Sequence, residues 1–225
     1  GGRVPAELRR LVRERASGRC EYCLLPEADS LSAHQVDHVL SRKHEGETSA
    51  DNLALACLCC NKRKGSDLSS LDPETRVLTP LFNPRQDRWE EHFRVVGVRL
   101  APLTAVGRVT VRLLGLNHPA RVLERELARA KQLAESVLKR FATDPSLQSI
   151  LVQLEAIEQW TAGGRTPTED ERGKIGMAIR MIREFDGPVD PEIFELKRVV
   201  LGVDPYFRFW PDDPIASDPK NFDYL

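Results

Sequence analysis

The chain has 225 residues, 41% hydrophobic and 30% charged, with a net charge of −1 and five cysteines. That is room for one large domain or two small ones, and no apolar run approaches the roughly 20 residues a membrane helix needs. Four of the cysteines form two Cys-x2-Cys pairs, which is not a secreted disulfide framework; in a reducing compartment the pattern reads as metal binding, and the expected location is the cytoplasm. No signal peptide is visible, and the Gly1-Gly2 opening suggests an altered N-terminus.

The near-zero balance conceals a split. Residues 1 to 141 carry about +6 and residues 142 to 225 about −7, which suits either a polyanion-binding half joined to an acidic half or simply two different surfaces. Residues 5 to 17 read as a helix, with Pro5 in the first turn and Leu8, Leu11 and Val12 on one face. Arg9, Arg10, Arg13 and Arg15 lie mostly off that stripe and form either a solvated basic face or a phosphate-contacting one.

Gly18 ends this helix and Cys20-Glu21-Tyr22-Cys23 begins a knuckle. Two thiolates two residues apart can hold one metal from a single turn. The matching pair is Cys57 and Cys60, and four thiolates make a closed structural zinc site with no position open to water. Cys59 is left over and is expected to pack as a small apolar residue.

The separation between the pairs leaves room for a folded insert. Val36 to Leu40 has strand character, Ser41 to Asp51 is a polar loop, and Asn52-Leu53-Ala54-Leu55-Ala56 reads as a second strand. Cys60 to Lys64 opens a short helix stopped by Gly65. The expected order is strand, loop, strand, helix.

Three strings in this region, Val36-Asp37-His38-Val39, Asp51 to Cys57 and Cys60-Asn61-Lys62-Arg63-Lys64-Gly65, resemble the zinc-knuckle subgroup of HNH endonucleases, which have a ββα-metal active site. Downstream, Leu71-Asp72-Pro73, Pro80 to Arg85, Trp89 to Phe93 and Gly107 to Thr110 resemble one bacterial branch of it, so the likeness covers roughly residues 5 to 130. It implies a metal-dependent nuclease cutting phosphodiester bonds, with double-stranded DNA the expected substrate and RNA not excluded.

Within that resemblance, His38 is the general base, because an imidazole titrates near neutral pH and can accept a proton from water. Asn52 braces either the loop or the His38 ring. Asp37 and Asn61 hold the catalytic ion; a carboxylate beside a neutral amide suits Mg²⁺ or Mn²⁺. Asp37 and His38 are neighbours on a strand and point to opposite faces, so the strand must end or twist there for both to serve one site. Lys62, Arg63, Lys64 and Arg42 are the candidate nucleic-acid contacts, with Lys64 foremost, and His44 is a further candidate in the loop. His34 reads as a core or surface histidine rather than a partner of His38. A non-cutting reading also stands: a zinc-stabilised module that binds nucleic acid or protein.

The fold class expected is α+β: a small HNH core at 1–66, a supporting α+β layer at 67–141 and an acidic helical region at 142–225 of unassigned role. In the layer, Asp67 to Pro80 reads as turns and a short extended piece, Gln86 to Phe93 as a short helix with Trp89 and Phe93 in the core, Arg94 to Leu100 as one strand, and 104–116 and 119–141 as helices. Beyond it, helices are expected at about 146–161, 168–185 and 191–201, followed from Gly202 by a Pro-, Asp- and aromatic-rich tail. The acidity of this third points mildly to a protein partner or to self-association.

Overall fold

The computed structural model describes residues 4–30, 32–161, 165–185 and 190–208. The chain forms two compact units, Gly1–Val122 and Leu123–Leu225.

The first unit begins with α1 (Ala6–Arg15), which buries Val12. A hairpin of β1 (Gln35–His38) and β2 (Leu53–Ala56) follows, with Gln35 opposite Ala56, Asp37 opposite Ala54 and His38 opposite Leu53. β2 is buried along its whole length because both its faces are covered. Leu53 and Leu55 join Val12 in one apolar cluster, with Leu8 and Val36 against it; Ala54 and Ala56 join a second cluster around the four paired cysteines. Small residues on that second face let α2 (Leu58–Lys64) lie close, and Gly65 closes the helix at a φ of +51°, a value that favours glycine. The expected strand–loop–strand–helix order is therefore present.

Two hairpins follow. β3 (Ser69–Leu71) pairs with β4 (Leu78–Pro80), within a segment expected to be mostly turns. After α3 (Trp89–His92), β5 (Phe93–Val96) pairs with β6 (Arg99–Pro102). The single strand expected at 94–100 is thus folded in two at Gly97, whose φ of +61° makes a two-residue turn accessible there; the run of valines masked the break. Phe82, Trp89 and Phe93 pack edge-on or tilted with ring centroids 5.1–5.3 Å apart, as the core role of the aromatics required. α4 (Ala105–Leu113) is capped by Thr104, and its Arg108 grips the fully buried Asp72 through two hydrogen bonds of 2.7 and 2.9 Å. That fork, the Thr75 hydroxyl and the Glu74 amide hold the Asp72 carboxyl far below the usual carboxylate range.

α5 (Pro119–Arg140) starts in the first unit and continues into the second, where α6 (Pro145–Thr161), α7 (Glu169–Gly173), α8 (Met177–Glu184) and α9 (Pro191–Arg208) follow. Leu123, Leu127, Ala130, Ala134 and Val137 of α5 belong to the apolar cluster of the second unit, together with Leu147, Ile157, Met181 and Phe207 among others. The unit boundary falls near the start of this helix, whereas the sequence suggested one at its end. The helix expected over 168–185 is two helices. Thr168 and Glu171 form a capping box at the start of α7, and α8 begins afresh at Met177 with its Ala178 amide donating to the buried Asp204. α9 runs past Gly202, so Phe207 is a core residue rather than part of a tail; the rest of the expected tail, from 209 onward, lies outside the described residues.

The charge split has a local explanation. On α5, Arg129 pairs with Glu195, Lys131 with Glu158 at 2.9 Å, and Arg140 with Asp190 and Glu192 at 2.8 Å. Basic residues of the long helix and acids of the final third compensate one another inside one unit. Among the described residues, no helix is long and apolar enough to cross a membrane.

Candidate active site and metal centre

Cys20, Cys23, Cys57 and Cys60 are all buried, and their sulfurs lie within 4.8 Å of one another. The Cys23–Cys57 separation is 3.8 Å. A tetrahedral zinc with bonds of about 2.3 Å has sulfur–sulfur edges of about 3.8 Å, which the Cys23–Cys57 edge matches, and the four sulfurs together are close enough to close on one such ion. The local chain builds this cage. Cys20 and Cys23 bracket a turn closed by Leu24 N–H to Cys20 O at 2.8 Å, and Cys57 caps α2 by accepting from the Cys60 amide at 3.4 Å. Hydrogen bonds from the neighbouring thiols, aided by the charge of Arg121, hold Cys23 well below the usual thiol range. The Arg121 Nη2 donates to Cys23 Sγ at 3.2 Å and to Cys57 Sγ at 3.1 Å. Cys59 departs from expectation: it is exposed, because a helix position between two inward cysteines faces outward.

Asp37 lies on the α2 side of the β1–β2 hairpin and is 7% exposed. Its Oδ2 accepts from the Tyr22 hydroxyl at 3.0 Å and is 3.2 Å from the Lys64 ammonium. Burial pushes the Asp37 carboxyl up, with Lys64 and Tyr22 opposing. Two residues along the same face of β1, Gln35 accepts from the Asn61 amide at 2.5 Å. Asp37 and Asn61 thus line one seam between β1 and α2. Their hard oxygens suit a divalent ion such as Mg²⁺ in chemistry, while the carboxylate also has an internal cation beside it.

His38 is on the other face of the hairpin, beside Leu53, and β1 ends there. Its Nε2 is 2.9 Å from Thr48 Oγ1. Burial lowers its pKa from the ordinary histidine value; nearby Arg42 and Lys64 add to this and Asp37 opposes it. The ring is therefore mostly neutral at pH 7. Asn52 braces the loop and not the ring: its Oδ1 accepts from the Leu40 amide at 2.8 Å, and its Nδ2 donates to Leu40 O and Glu47 O at 2.9 and 2.8 Å. Gly46 sits inside this loop, where a Cβ would lie 1.8 Å from Leu40 O.

The candidate nucleic-acid contacts separate on exposure. Lys62, Arg63 and Arg42 are exposed, and the Arg63 guanidinium lies over Gly115. Lys64 does not lie at the surface: its side chain is 3% exposed and its Nζ donates to His38 O at 3.0 Å, because the last turn of α2 packs onto the end of β1. His44 ties the loop to the end of α2 through Ser66 O at 3.1 Å. His34 is buried with its Nε2 2.9 Å from Leu25 O, a structural placement. Of the α1 arginines, Arg13 pairs with Glu27, and Arg15 donates to Ala50 O and Leu53 O at 2.9 and 2.6 Å, so both clamp the fold. Tyr22, Thr48 and Arg121 had no signal in the sequence pattern; only Tyr22, inside a knuckle, was near enough to a motif to be questioned.

Residues 20–67 match the model of the HNH endonuclease family. No curated protein and no solved structure matches the chain. The segment from Cys20 to Asp67 is an HNH domain, and its four-cysteine cluster fits the zinc-knuckle form of that domain.

Proposed function

We propose that the protein is a metal-dependent endonuclease that hydrolyses phosphodiester bonds in DNA. The observation that carries this reading is the β1–α2 seam inside the HNH segment, where Asp37 and Asn61 lie on one side of a strand that ends at His38. Asp37 and Asn61 would hold Mg²⁺ or Mn²⁺. That ion, when bound, supplies charge stabilisation at the phosphate under attack. Thr48 fixes one nitrogen of His38 and leaves Nδ1 to take the proton from the attacking water. The lowered pKa favours the neutral ring, and Nδ1 is the bare nitrogen in the tautomer whose Nε2–H donates to Thr48 Oγ1. Asn52 keeps the loop that follows His38 closed, and the four cysteines hold zinc as a structural ion. Arg42, Lys62 and Arg63 are exposed cations for the DNA backbone, and the thiol-rich zinc site suits a reducing, cytoplasmic setting.

A second reading, a zinc-stabilised nucleic-acid-binding module that does not cut, is favoured by one observation: the Asp37 carboxylate is buried and already paired with Lys64. Supercoiled plasmid, incubated with zinc-loaded protein and Mg²⁺, Mn²⁺ or excess EDTA, separates the two. The nuclease reading expects nicking or linearisation that needs the divalent ion and falls at least 100-fold in His38→Ala with its zinc retained. Salt-sensitive DNA binding without cleavage, or cleavage that survives His38→Ala, would sink it. A labelled single-stranded RNA in the same assay tests the choice of nucleic acid.

A further inference from the structure

A buried guanidinium lies beside the cysteine cluster. Arg121 is 4% exposed and lies in the first turn of α5. A cation there is disfavoured twice, by desolvation and by the positive end of the helix dipole. Something anionic must offset both. Among the groups in reach are Cys23 Sγ at 3.2 Å and Cys57 Sγ at 3.1 Å, met by the same Nη2. These sulfurs come one from each knuckle and are 3.8 Å apart, so the nitrogen bridges one edge of the sulfur cage.

Four thiolates around one Zn²⁺ leave two formal negative charges in excess, in a site sealed from water. Such charge needs hydrogen bonds and a counter-charge to be stable in the interior. The amide of Cys60 supplies one donor to Cys57. We propose that Arg121 completes the zinc centre: it is an outer component that neutralises part of the excess charge, joins the two knuckles across their shared edge and slows loss of the metal. The residue lies well beyond the segment that matches the HNH family, so the zinc centre draws on the start of α5 as well as on the knuckles. This inference concerns the structural ion and stands whether or not the protein cuts DNA.

The test uses the full chain loaded with zinc, with Arg121→Met and Arg121→Lys beside the wild type. Zinc transfer to a chromogenic chelator gives release rate and affinity. Substitution by Co²⁺ gives the thiolate-to-metal charge-transfer band, which shifts when a donor to sulfur is removed. A hydrogen bond to a charged group is worth enough to predict at least about tenfold faster release and weaker binding in Arg121→Met. Arg121→Lys should fall between, since it keeps the charge and loses the planar fork. Both variants should shift the cobalt band. Should Arg121→Met not fold, Arg121→Gln is measured against the same thresholds. Release within twofold of wild type together with an unmoved cobalt band, in a folded variant lacking the charge, would overturn the proposal.

Discussion

Removing the Lys64 ammonium should expose how Asp37 is kept charged in the interior. The pair is 3.2 Å apart, with side-chain exposures of 3% and 7%. In Lys64→Met the carboxylate loses its counter-charge and keeps only the Tyr22 hydroxyl. It can remain ionised and unpaired, at about 3–5 kcal/mol for a broken buried pair, or take up a proton. Protonation sets the ceiling. An aspartate with an unfolded pKa near 3.9 costs about 4 kcal/mol to neutralise at pH 7 and about 1.5 kcal/mol at pH 5. The sign follows from the raised folded pKa: the folded variant binds more protons than the unfolded chain, so its stability falls as pH rises above the unfolded value. Calorimetry on the zinc-loaded protein at pH 5 and pH 7 reads this directly. A unit of this size should lose on the order of 10 °C at neutral pH and much less at pH 5. Asp37→Asn in the same chain should erase most of the penalty of Lys64→Met, a strong coupling between the two sites. An equal loss at both pH values, or simple additivity with Asp37→Asn, would refute the reasoning.

Two further outcomes are expected. Gly46→Ala should open the loop after His38, because the new Cβ would meet Leu40 O at 1.8 Å and Asn52 Nδ2 at 2.9 Å; a loss of about 1–3 kcal/mol should appear in denaturant unfolding, while Gly173→Ala, whose Cβ meets nothing within 4 Å, should be near neutral. Cleavage should rise with pH through an inflection below the ordinary histidine value of about 6.5 and level off above it, since burial lowers the His38 pKa; an inflection above that value would remove His38 as the base.

The HNH core was legible because its chemistry is written in spacing. Two Cys-x2-Cys pairs and the Asp37-His38 dipeptide between them survive as motifs whatever the packing, and the glycine after Lys64 marks the end of α2. What failed was decided by tertiary placement. Lys64 and Arg63 are adjacent cations in one string, yet only one falls on the inward face of a helix two turns long. Arg94 to Leu100 reads as one strand and forms parts of two, since the turn at 97–98 rests on the backbone freedom of Gly97. Tyr22 and Arg121 could not be found from pattern, because each acts through a partner distant in sequence. The start of a helix at Thr168 was legible; the break before Met177 was not, because Asp204, which receives the new helix's amide, lies 26 residues away.

The ion pairs along α5 also bear on how the protein would sense salt. Arg129, Lys131 and Arg140 each already have carboxylates within their own unit. A cation so occupied displaces few condensed counterions from a nucleic acid and gains little from their release. The entropy that drives a protein onto a polyanion would therefore come from the exposed cations of the HNH segment. With few exposed cations in that segment, Lys43, Lys62 and Arg63 among them, the dependence of affinity on ionic strength should be shallow, on the order of a third or fourth power of salt rather than the tenth of a large repressor.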